Sequence, residues 1–98
     1  MHCVTVIYPK PADPDHFKSY YEGSHVPLAS KLPGLRKSSF AYPQMLTEGD
    51  AFCIFQGYFD DAAAMEAAFA SDIGKEVAGD IPNYSPAGCM MFHFPAAD

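Results

Sequence analysis

The spacing of apolar and polar positions divides the chain into seven regular segments. His2 to Tyr8 is rich in β-branched and aromatic residues and is closed by Pro9, Pro11 and Pro14, which predicts a strand followed by a loop. Wound at about 100° per residue, Phe17, Tyr20, Tyr21, Ser24, Leu28 and Leu32 fall on one face of a helix. Lys18, Ser19, Glu22, Gly23 and Ser30 fall on the other. Asp13 is a good N-cap for this helix, Pro14 suits its first position, and Pro33 with Gly34 ends it. Leu35 to Tyr42 reads as a second strand, at a sheet edge, and Ala51 to Phe59 as a third, apolar on both faces. Asp60 or Asp61 caps a helix from Ala62 to Ala70 with Met65 and Phe69 inward, and Ser71 caps a short helix ending at Gly79. Asp80 to Pro86 holds two prolines and reads as an ordered loop, before a last strand from Gly88 to Phe94.

Pro27 interrupts the first helix pattern. It removes a backbone donor and biases Val26 away from α geometry, so a kink or restart is expected between His25 and Leu28, freeing the carbonyl of Gly23. Freed polar capacity beside an apolar face makes this stretch the candidate site. His25 lies one turn after Tyr21, so imidazole and phenol can meet or converge on a third group.

The order strand, helix, strand, strand, helix, strand predicts an α+β, ferredoxin-like βαββαβ domain spanning residues 1–98, a four-stranded antiparallel sheet with helices on one face. The third and fourth strands, and most of the first, are apolar on both sides, yet the helices cover only one. A second copy packing sheet against sheet satisfies that demand and gives a homodimer with a barrel-like core, a dimeric α/β barrel; a different partner would satisfy the same physics.

Composition narrows the function classes. With 98 residues and 49% hydrophobic content, the chain forms one core near the lower limit of self-sufficiency. A net charge of −6 argues against nucleic acid and anionic membrane surfaces as partners. No apolar run approaches the roughly 20 residues that cross a bilayer. Cys3, Cys53 and Cys89 are odd in number, lack C-x-x-C spacing and lie in strand-like runs, so buried free thiols are expected. With no secretory features at the start, a cytoplasmic location is expected.

The run F-x-x-Y-Y-x-x-x-H-x-P-L from Phe17 to Leu28, followed by D-I-P-N-Y from Asp80 to Tyr84, resembles the EthD family of dimeric α/β-barrel proteins over essentially the whole chain. The resemblance implies the ferredoxin-like fold, a homodimer and a cavity between the sheet and the histidine-bearing helix. It does not imply one reaction: EthD itself is associated with ethyl tert-butyl ether degradation, and wider relatives include cofactor-free monooxygenases, lactone isomerases, polyketide cyclases and haem-dependent enzymes. Tyr20, Tyr21 and His25 match the helix motif, Pro27 and Leu28 its continuation, and Asp80, Asn83 and Tyr84 the loop motif. The segment between the second and third strands is brief, so any covering loop of longer members is reduced here.

The expected chemistry is proton transfer by His25 on a small aromatic, lactone or polyketide-like metabolite, with Tyr20 or Tyr21 orienting the substrate. An oxidoreductase or monooxygenase reaction is one branch of it. Asp80 either orients the imidazole or caps the amides of its own loop. Phe17, Leu28, Asn83, Tyr84 and His93 are candidate substrate-binding residues, although Asn83 and Tyr84 also suit a purely structural role in their loop. His2 and His16 look incidental. No metal is expected, since three ligands at fixed spacing are absent, and no cofactor is expected; haem stays open because His25 or His93 would supply its one axial ligand. Two rival readings are a non-catalytic ligand-binding or accessory dimer of a degradative pathway, and a structural dimer with a filled core and no cavity.

Overall fold

A computed structural model describes residues 1–97. Four strands, β1 (His2–Tyr8), β2 (Lys37–Ala41), β3 (Cys53–Phe59) and β4 (Met90–Pro95), form one antiparallel sheet in the order β2-β3-β1-β4. This is the ferredoxin-like arrangement expected for the βαββαβ order. Helices α1 (Pro14–Tyr20), α2 (Val26–Ala29), α3 (Ala62–Ala70) and α4 (Asp72–Asp80) pack on one face. Among the described residues no helix is long and apolar enough to cross a membrane.

The helix starts follow the capping residues. Asp13 accepts from the His16 amide at 3.1 Å, Asp61 from Ala64 at 2.8 Å and Ser71 from Gly74 at 3.1 Å. Each satisfies an amide that has no partner within its helix. Ser71 both ends α3 and opens α4, so the two helices meet at a sharp corner. Gly74 is buried at that corner because a Cβ there would meet the backbone carbonyls of Ala68 and Phe69.

The helix restarts within the expected stretch, at Val26, but Val26 is not pushed out of α geometry: it keeps φ −60°, ψ −44°, well inside the α region. The chain instead passes through a π-helical turn, Tyr21–His25, in which the Val26 amide reaches back to the Tyr21 carbonyl. Pro27 then falls in the first turn of α2, where a missing donor costs nothing. The steric bias against α geometry before proline is overcome by packing on both sides, with Tyr21, His25 and Ala29 all buried.

Strand pleating sends Val4, Val6 and Tyr8 of β1 toward the helices, where they pack with Phe17, Tyr21, Tyr84, Phe55, Leu32 and Phe59. Registers Val4↔Gly57 and Val4↔His93 set the rows across the sheet on this side. The opposite face has no helix. Cys3, Thr5 and Ile7 line its centre, flanked by Tyr58, Gln56 and Ile54 of β3 and by Phe94, Phe92 and Met90 of β4. Met90 is 57% exposed and Phe92 41%, a large apolar presentation for a face open to water. Cys3 and Cys53 are buried free thiols as anticipated, and Cys89 is half-buried.

Candidate functional site

Two segments far apart in sequence meet at the C-terminal end of α4. The π turn delivers His25 and the end of α4 delivers Asp80, so that His25 Nδ1 and Asp80 Oδ2 lie 2.8 Å apart. The other carboxylate oxygen accepts from the Tyr20 hydroxyl at 2.6 Å and from Asn83 Nδ2 at 2.9 Å. Asn83 Nδ2 also lies 3.3 Å from the Tyr20 oxygen. Asp80 therefore has donors on both oxygens. Burial raises its pKa, but the bonds from Tyr20, Asn83 and His25 outweigh that and hold the carboxyl below the usual carboxylate range.

Because an ionised carboxylate only accepts, the hydrogen between the two groups belongs to Nδ1 of His25, and the neutral ring carries its lone pair on Nε2. The side chain of His25 is only 5% exposed. Burial lowers its pKa, and the Asp80 bond and charge oppose this without cancelling it. The ring is stacked on Tyr21, with centroids 5.6 Å apart at 18°, and lies 4.6 Å from the Tyr84 ring. Aromatic packing and the carboxylate bond together leave it little rotational freedom.

His25 also lines a cavity of about 310 Å³ between the sheet and helices α2 and α4. Val4, Val6, Phe55, Phe59 and Met91 form its sheet wall, and Ala29, Leu32, Val77, Ala78 and Ile81 its helix wall. Tyr8 and Lys75 complete the polar part of the lining. The filled-core reading, which required no cavity, does not hold. The volume is at the small end of the range for ligand pockets and suits a compact organic molecule. Among the described residues no group of three or more metal-binding side chains is present.

The residues singled out from sequence separate into distinct groups. His25, Tyr20, Asp80 and Asn83 come together, but only His25 reaches the cavity wall. Tyr21 does not face the cavity; it is fully buried beneath His25, and burial drives its phenol far above the usual range. Tyr84 is a core residue whose hydroxyl pairs with that of Tyr8 at 2.7 Å. Phe17 is likewise a core residue, T-shaped against Tyr8 and Phe52. Leu28 is half-buried and away from the cavity lining, and Asn83 is an exposed donor to Asp80. His93 lies exposed on β4, 2.8 Å from His2, so neither is isolated and neither joins His25. His16 meets the Asn83 carbonyl at 3.2 Å, which ties α1 to the loop. Asp80 meets the imidazole from the last residue of α4, not from a loop; residues Ile81–Asn83 form a single 3-10 turn after it.

Sequence reasoning missed Tyr8, Lys75 and the helix wall. A signal existed: Gly74, Val77, Ala78 and Ile81 recur at i, i+3, i+4 and i+7, the spacing of a single helix face.

This is a ferredoxin-like α+β protein with a carboxylate-held histidine on the wall of an apolar cavity. The EthD domain model matches residues 9–86, and the chain belongs to the EthD family. It is 33% identical over 93 residues to an uncharacterized 11.0 kDa protein in the thcB-thcC intergenic region of Rhodococcus erythropolis, covering 93% of this chain and 90% of that one. An EthD family protein of Bacillus halodurans has a similar structure, with a TM-score of 0.90 at 23% identity over 99% of both chains. A dimeric ferredoxin-like protein of unknown function from Thermobifida fusca aligns with a TM-score of 0.71 at 14% identity, over 97% of this chain and 89% of that one. SnoaB, a cofactor-independent oxygenase from Streptomyces nogalater, aligns with a TM-score of 0.67 at 16% identity, over 99% and 92%.

Proposed function

We propose that the protein is a homodimeric enzyme that moves a proton on a small, largely apolar organic substrate, with His25 as the base and no cofactor taking part. The observation that carries this reading is the 2.8 Å bond between His25 Nδ1 and Asp80 Oδ2 at the wall of an apolar cavity. A neutral imidazole with Nδ1 committed offers Nε2 as the acceptor. A C–H bond beside a substrate carbonyl breaks, the proton goes to Nε2, and the electron pair stays on the substrate as an enolate. The Asp80 carboxylate stabilises the resulting imidazolium, while Tyr20 and Asn83 hold Asp80 in place. Returning the proton to another carbon completes an isomerisation; where the enolate carbon instead attacks a second carbonyl of the same substrate, a ring bond forms and the resulting alkoxide takes the proton back from the imidazolium. Where dioxygen is the electrophile, the enolate carbon forms a C–O bond and dioxygen is reduced to a peroxide that takes the proton back from the imidazolium, an oxygenation, the class named for the similar Streptomyces protein.

The homodimer follows from the helix-free sheet face. Ile7, Ile54, Tyr58, Met90, Phe92 and Phe94 cluster there, and a second copy would remove them from water. The Thermobifida protein, described as dimeric, supports this assembly.

The test is hydrogen exchange into a panel of enolisable ketones, lactones and phenols in D₂O, followed by NMR, with dioxygen uptake recorded in parallel. Wild-type protein is expected to accelerate exchange or oxygen consumption with at least one class, and His25→Ala to abolish it while still binding the compound. A His25→Ala protein as active as wild type would refute the assignment, and binding without any turnover would favour an accessory role.

A further inference from the structure

Among the described residues lining the cavity, Lys75 is the one cationic side chain. It is exposed, and among the described residues the ion pairs are His25–Asp80 and Arg36–Asp60, so the Lys75 ammonium has no acidic partner. Asp72 and Glu76, its acidic neighbours on α4, do not pair with it. Lys75 stands five residues before Asp80 on that helix, about 7–8 Å along its axis. The backbone positions of Lys75 and Asp80 are thus about one and a half helical turns apart, with apolar Val77 and Ala78 between them in sequence.

Resting on the proton-transfer reading, we propose that the cavity takes a monoanionic organic acid. Its apolar body lies against the sheet wall formed by Val6, Phe55 and Met91, its carboxylate meets the Lys75 ammonium, and its reacting carbon faces His25. Charge argues that the recognition is local. A protein of net charge −6 repels anions at long range, so an anion enters only where a cation meets it directly. The carboxylate of Asp80 adds to that repulsion inside the site, and Lys75 offsets it. A neutral substrate of the same shape would leave the ammonium with water as its only partner.

The experiment compares 2-naphthoate with the isosteric neutral 2-naphthamide by isothermal titration calorimetry on the full chain at low salt. Wild-type protein is expected to bind the carboxylate about two- to fivefold more tightly than the amide, a preference that shrinks with added salt. Lys75→Met keeps the aliphatic stem and is expected to remove the preference, bringing the two affinities together; Lys75→Arg is expected to retain it. Equal affinities in the wild type, a preference that survives in Lys75→Met, or no binding of either compound at millimolar concentration would each overturn the proposal. His25→Ala and the wild-type turnover assay separate the two ideas. If wild-type protein shows no exchange or oxygen uptake while both it and His25→Ala keep the carboxylate preference, the catalytic reading falls alone and the binding assignment stands.

Discussion

Asp80→Asn tests the dyad without knowledge of the substrate. In the wild type, one carboxylate oxygen accepts from His25 Nδ1 while the other accepts from Tyr20 and Asn83. An amide at this position can keep its oxygen toward Tyr20 and Asn83, which turns its NH₂ toward Nδ1. Nδ1 must then accept, the ring hydrogen moves to Nε2, and the Nε2 lone pair is lost. A hydrogen bond to a charged partner contributes roughly 1.5–3 kcal/mol, so its loss and the amide's opposite polarity change the tautomer ratio by at least about 10- to 150-fold. That converts a predominantly Nδ1–H ring into a predominantly Nε2–H ring. The Asp80 bond and charge both raise the His25 pKa against the lowering effect of burial, so the variant is expected to titrate still lower than wild type. The assay is ¹⁵N imidazole NMR, with the His25 signals assigned by their absence in His25→Ala. Turnover should fall by about 10²- to 10⁴-fold, the range for loss of a positioned base or of its tautomer. An Nε2–H ring or an imidazolium at His25 in the wild type at neutral pH would refute the reasoning, as would an unchanged tautomer in a folded Asp80→Asn protein.

Three further outcomes are expected. Gly74→Ala places a Cβ 2.6 Å from the Phe69 carbonyl and closer still to that of Ala68, backbone atoms that cannot yield cheaply; a loss of about 2–4 kcal/mol or failure to fold is expected, read by urea denaturation against Gly79→Ala, which meets open space. Phe92→Asp puts charge at the middle of the helix-free face, and sedimentation at micromolar concentration should shift from dimer to monomer while the circular dichroism spectrum stays intact. Acidification should destabilise the fold in two stages. The folded-state pKa of His25 is depressed below 6.5 and that of Asp80 below 3.8, so both contributions are complete above those values and are lost as pH falls through the folded pKa. A thermal melting series from pH 7.5 to 3 should therefore decline below pH 6.5 in wild type, and His25→Gln should lack the first decline.

The element order was legible because each segment carried its own local signal. Pro14 behind Asp13, Asp61 and Ser71 at helix starts, and the β-branched, aromatic and apolar runs of β1 and β3 all point the same way as the final packing. The pairing of His25 with Asp80 was legible as one of two options, since spacing alone cannot distinguish a carboxylate that orients a ring from one that caps its own loop. What was not legible lies between elements. The cavity wall combines inward positions of three strands with one face of α4, and a lining of Val, Phe, Leu and Ala looks the same in sequence whether it packs solidly or leaves space. Tyr84 and Phe17 were credited to the site for their motif positions, but large aromatic side chains meeting around Tyr8 satisfy one another first, and that cluster lies behind the histidine.

The π turn explains why the motif and the core coexist on one helix. Phe17, Tyr21, His25 and Ala29 are all buried, in steps of four residues. In continuous α-helix each such step overshoots a full turn by about 40°, so three steps would carry Ala29 about 120° round the axis from Phe17. The turn from Tyr21 to His25 is wider, bonded i to i+5, and the same step of four undershoots it. The drift is offset at the middle of the series, which keeps His25 stacked on Tyr21 and pointed at the end of α4. Glu22, Gly23 and Ser24 bulge into solvent on the other side, where their polarity costs nothing. A proline six residues after Tyr21 fits this arrangement because α2 begins afresh there and asks for no donor. Pro27 therefore marks the restart at which the helix changes register, and that change of register is what turns a core-facing stripe into one that ends on a histidine held by Asp80.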